Sequence, residues 1–125
     1  MNNALELHDH PRTSVETLSF RMFIEELRAV TRNLTDTLTG NPLEAAVQAV
    51  CRNPALIQAR LLTRILAAYV GRGASFRRAE VAAFDRQHLV LLAALMQSSD
   101  QGLISPADWT LAADTADAAQ RAFDN

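Results

Sequence analysis

Lysine is missing altogether: all twelve basic residues of this 125-residue chain are arginine. Every cation is therefore a planar, permanently charged fork, suited to carboxylate pairing and to partner surfaces. Cysteine is nearly missing too, and the single thiol, Cys51, has no partner for an internal disulfide, which points to a reducing compartment. Glycine and proline take only four positions each while apolar residues make up 49% of the chain, a balance that excludes a disordered polymer. Long apolar runs are also missing. The longest, Leu89 to Met96, is eight residues, against the roughly 20 needed to span a bilayer. The opening Met1-Asn2-Asn3, followed by Glu6, His8, Asp9 and His10, lacks the basic and apolar stretches of a secretory signal. The expectation is a cytoplasmic protein with no membrane partner.

Helix signals fill the space that these absences leave. Alanine, the best helix former, is the commonest residue. No stretch of four or more residues alternates with period two as a half-buried strand would. Four segments read as helix starts: Thr13-Ser14-Val15-Glu16, Asn41-Pro42-Leu43-Glu44, Asn53-Pro54-Ala55-Leu56 and Ser105-Pro106-Ala107-Asp108. Each offers a side-chain oxygen to the first-turn amides, and three place proline at the first helical position, where its missing N–H costs nothing. The spacing predicts helices over about 14–39, 42–52, 54–70, 75–98 and 106–123. The first, at about 1.5 Å per residue, would be roughly 40 Å long. The fold expected is all-α, a bundle of four to five helices with a long first helix. Residues 1–12 read as a flexible N-terminal tail, and 13–125 as a single helical-bundle domain.

Motifs of chemistry are weak. Residues 97–108 have the outline of a calcium-binding loop, with Gly102 at the turn, Ile104 at the apolar position and Asp108 at the last ligand site. Gln97, Ser99 and Gln101 are neutral where calcium needs carboxylates, so the segment reads as a turn with Ser105 capping the next helix. His8-Asp9-His10 has no second cluster to complete a metal site. His88 stands alone between polar Gln87 and an apolar run, Glu25-Glu26 reads as a solvated helix face, and Cys51 falls on an apolar stripe as a buried structural thiol. No nucleophile and base stand at a catalytic spacing. The expectation is a non-enzymatic protein with no catalytic residue, no metal and no cofactor.

Charge is unevenly placed. Residues 1–50 carry −3, residues 51–86 carry +5 and residues 87–125 carry −4, within a chain of net −2. A basic middle built from Arg60, Arg64, Arg72, Arg77, Arg78 and Arg86 suits nucleic acid, but the chain as a whole is acidic and offers no short recognition helix. The favoured reading has Arg60 and Arg64, one turn apart, paired with the acidic first helix or with the partner in a dimer; Arg77 and Arg78 are further electrostatic candidates.

Apolar surface exceeds what a monomeric bundle would use: a wide stripe on the first helix, a third helix apolar nearly all round, and the uniformly apolar end of the fourth. That surplus predicts a homodimer whose job is to bind another protein. Phe20, Phe23, Ile24 and Leu27 form one i, i+3, i+4 anchor set, and Leu89, Leu92, Leu95 and Met96 another. In length, helical character, lack of lysine and lack of catalytic motifs, the chain resembles the small all-helical quorum-sensing anti-activators of the QslA kind. The resemblance implies transcription regulation by sequestering a partner such as a LuxR-type transcription factor. Two alternatives stay open. One is a small-ligand-binding or enzymatic bundle with a pocket between helices, lined by Trp109, Tyr69 and phenylalanines, whose distinguishing sign is an acid or histidine facing a cavity. The other is a nucleic-acid-binding protein using the arginine-rich middle.

Overall fold

Side-chain oxygens start most of the helices. In this computed structural model, residues 16–73 and 75–125 are described; the Thr13-Ser14 start, the tail and His8-Asp9-His10 lie outside them. The elements are β1 (Thr17–Leu18), α1 (Phe20–Thr31), α2 (Pro42–Arg52), α3 (Ile57–Tyr69), β2 (Phe76–Arg77), a 3-10 helix (Arg78–Ala83), α4 (Arg86–Asp100) and α5 (Pro106–Asp124). Ser19 Oγ accepts from the Met22 amide at 3.2 Å to open α1. Asn41 Oδ1 accepts from Leu43 and Glu44 at 2.8 and 3.1 Å to open α2, with Pro42 at its first turn. Asp85 opens α4 and Ser105 opens α5 by the same geometry, each accepting from the amide three residues on.

The chain is mostly helical, but not with the elements expected. The first helix does not run from 14 to 39: α1 holds 12 residues and α5, with 19, is longer. Thr31 marks the change, its hydroxyl donating to the Leu27 carbonyl at 2.8 Å. Beyond it, Asn33, Thr35, Asp36, Thr37 and Thr39 are poor helix formers whose side chains compete for backbone partners, and residues 34–39 take no regular structure. The expected start at Asn53-Pro54 also shifts. Asn53 ends α2, a turn closes through Leu56 N–H to the Asn53 carbonyl, and α3 begins at Ile57 without a side-chain cap. The helix expected over 75–98 is α-helical only from Arg86: Phe76–Arg77 form a strand, Arg78–Ala83 a 3-10 helix, and Phe84-Asp85 are extended.

A short antiparallel pair, unforeseen from the pattern, ties the N-terminal part of the described chain to its middle. Thr17 faces Arg77 and Leu18 faces Phe76, and Arg78 N–H donates to the Glu16 carbonyl at 3.1 Å. Behind it lies one continuous core running from Leu18 and Phe23 through Leu62, Ile65 and Leu66 to Leu92, Leu95 and Ala116. Phe23 stacks on Phe76 with ring centres 4.3 Å apart, and Phe20 meets Tyr69 edge-on. Helix α5 packs on α2 and α3 through Ala112, Ala113 and Ala116, whose small side chains permit close approach, while α4 packs on α1 and α2.

Candidate functional site

Six of the eight side chains expected at a partner surface lie in this core instead. Phe23, Leu27, Leu92 and Leu95 are wholly buried, Ile24 and Met96 nearly so, and Phe20 and Leu89 are half-buried against them. Short helices, the 3-10 turn and the strand pair wrap these faces within a single chain. Among the described residues, the large apolar side chains left exposed are others: Met22, Val30, Leu56, Ile57, Leu103, Leu111 and Phe123. Cys51 departs in the other direction: the line Leu43, Ala46, Val50 faces the core, and the thiol, one residue further round α2, is exposed.

The arginines are largely committed to the chain itself. Arg60 pairs with Asp124 at 3.0 Å, Arg64 with Glu80 at 2.7 Å, Arg72 with Asp114 at 2.6 Å and Arg86 with Asp36 at 2.9 Å. Arg78 bridges Glu16 and Glu26, and Arg28 holds Asp100 through two bonds of 2.6 and 2.9 Å. Arg60 and Arg64 therefore reach the last helix and the 3-10 segment, not the first helix; Arg78 is the one that contacts α1. Arg77 is exposed and its backbone N–H donates to Glu80 at 2.8 Å. Burial works against ionisation of Glu80, yet the Arg64 guanidinium and the Arg77 amide together outweigh it and hold the carboxyl below its ordinary value. Arg64 also lies over the Phe76 ring at 4.7 Å, so this cation serves the core edge. A basic middle in the sequence is thus largely neutralised in space.

A concave site lies on the face where residues 34–39 run without helical structure. A cleft of about 680 Å³ opens between that segment, the later turns of α2 and the first turns of α4. Leu38, Ala49, Val90 and Leu91 supply its apolar surface; Asp36, Arg52, Arg86 and His88 supply its ionisable groups. Asp36 and Arg86 hold each other across the rim. Arg52, exposed at the end of α2, makes no ion pair among the described residues.

His88 is the most built of these side chains. The same Asp85 oxygen that caps α4 through the His88 amide at 2.9 Å also meets His88 Nδ1 at 2.7 Å. The His88 backbone N–H and then its ring hold Asp85 below the usual carboxylate range. The imidazole is only 18% exposed, and with Nδ1 committed, Nε2 is the ring atom left for a ligand. Asp85 was the residue missed from sequence. Its sequence signal is an acid shortly before an apolar helical run, masked by the apparent continuity of helical spacing from Ser75. Tyr69 and Trp109, expected to line a pocket, instead stack on each other at 4.2 Å between α3 and α5. Burial pushes the Tyr69 phenol up to about 12.

Among the described residues, no three His, Cys, Asp or Glu side chains converge as a metal site would require, and no helix is long and apolar enough to cross a membrane. The calcium-like loop is a helix ending: Gly102, at a φ of +65° that favours glycine, and Leu103 donate to the Ser99 and Ser98 carbonyls. Compared with known proteins, the chain matches no family model, no curated protein and no solved structure.

Proposed function

We propose that this chain is a small-ligand-binding helical protein whose ligand occupies the cleft between residues 36–39, α2 and α4. The observation that carries the reading is His88, fixed by Asp85 and lining a cleft of about 680 Å³. That volume lies within the range of about 300–1,000 Å³ typical of ligand sites, and an apolar lining with a few placed polar groups is their usual make-up. The alternative of a dimeric anti-activator drew its support from surplus apolar surface, and six of the eight side chains counted in that surplus are buried within one chain. The nucleic-acid alternative drew on six arginines, five of which hold carboxylates of the same chain.

A neutral fluorescent probe, N-phenyl-1-naphthylamine, tests the reading. Its emission should rise on titration with the protein and should be lost in Ala49→Trp, which fills the cleft, with thermal melting confirming that the variant folds. Leu38→Asn is a second, milder block and should weaken the probe several-fold. Equal binding to the wild type and both folded variants, or no binding at all, would sink the proposal.

A further inference from the structure

We infer that the ligand is an amphipathic monoanion, a carboxylate on an apolar body, with its charge held by Arg52. This rests on the cleft being the binding site and adds the chemistry of what it takes. The cleft's charges decide the sign. Asp36 and Arg86 pair at 2.9 Å and cancel. Asp85 does not line the cleft: its carboxylate is turned into the first turn of α4, accepting from the His88 amide and meeting His88 Nδ1 at 2.7 Å. Arg52 is left as the lining cation without an ion pair among the described residues, and a guanidinium does not lose its proton near neutral pH.

One unbalanced cation selects one negative charge. A di- or triphosphate would need several cations or a cradle of backbone amides, and the first-turn amides of α4 already face the Asp85 carboxylate. A carboxylate suits the planar fork of Arg52 by accepting two parallel hydrogen bonds. Its apolar body then lies on Leu38, Val90 and Leu91, with Nε2 of His88 available to accept from a hydroxyl on the same molecule.

A matched pair of probes tests this. 8-Anilinonaphthalene-1-sulfonate and N-phenyl-1-naphthylamine share one apolar body, and only the first carries a negative charge. Arg52→Gln should weaken the anionic probe on the order of tenfold, as loss of a charged hydrogen-bond partner does, and should leave the neutral probe within about twofold. Raising salt should weaken the anionic probe alone, by screening. Octanoate and 2-naphthoate should displace it at lower concentrations than their methyl esters do. The acid that competes at lower concentration identifies an alkyl or an aromatic body. If Arg52→Gln leaves the ratio of the two affinities unchanged, or esters compete as well as acids, the monoanion inference is overturned while cleft binding stands. If neither probe responds to Ala49→Trp, cleft binding itself falls.

Discussion

The two sides of this molecule use the same residue types to opposite ends. Where α5 closes over α3, Trp109 stacks on Tyr69, alanines bring the backbones close, Gln120 donates to Thr63, and arginine–carboxylate pairs fasten Arg60 to Asp124 and Arg72 to Asp114. Where residues 34–39 pass over α2 and α4, Leu38 is half-buried, and among the described residues no helix closes the face and no carboxylate pairs with Arg52. The closed side commits its aromatic stack, its alanines and most of its polar groups to itself, with Ile57, Leu111 and Phe123 left exposed on its outer faces; among the described residues Gln120 Oε1 is the buried side-chain atom there without a partner. The open side keeps a cation, an oriented imidazole and an apolar floor in reserve. Chemistry available to another molecule sits where internal packing stops.

That contrast is breakable by mutation. The largest effect belongs to the closed core: Phe23→Ala removes a wholly buried ring stacked on Phe76 and should cost about 3–5 kcal/mol in urea unfolding. Next comes the edge of the core. Glu80→Gln, which removes the charge facing Arg64 and the Arg77 amide, should cost about 1–2 kcal/mol at pH 7. Because the folded Glu80 carboxyl lies below its ordinary value of 4.5, its contribution is present above that pH and is lost as pH falls through the lower folded value. The acid limb of the wild-type stability profile should therefore be shallower in Glu80→Gln. The smallest effect belongs to the open side: Leu38→Asn should cost less than about 1 kcal/mol, since its side chain already meets water. A cost for Leu38→Asn equal to that of Phe23→Ala would abolish the division between the two sides.

Local chemistry was legible in the sequence, and long-range assembly was not. Asn41-Pro42 and Ser105-Pro106 work as starts because each needs only its own next three residues. Asn53-Pro54 carries the same letters, yet there the asparagine is taken up in ending α2, and a turn intervenes before α3. The strand pair joins two-residue segments far apart in the chain, too short for any period to register. The end of α1 was legible and missed: threonines, asparagine and aspartate over 33–39 outweigh the isolated Leu34 and Leu38. The width of an apolar stripe reports that a face is buried without reporting by what. Phe23 and Leu92 carried the same signal whether covered by a second chain or, as here, by their own. The cleft was illegible for the same reason, since Leu38, Arg52 and His88 come from three separate elements.

Backbone amide shifts in a titration with 8-anilinonaphthalene-1-sulfonate test the central claim most directly. The account predicts saturable shifts concentrated at Leu38, Ala49, Arg52, His88 and Val90, with the α3–α5 seam unmoved. Shifts centred instead on exposed Ile57 and Phe123, or spread without saturation over the surface, would contradict it.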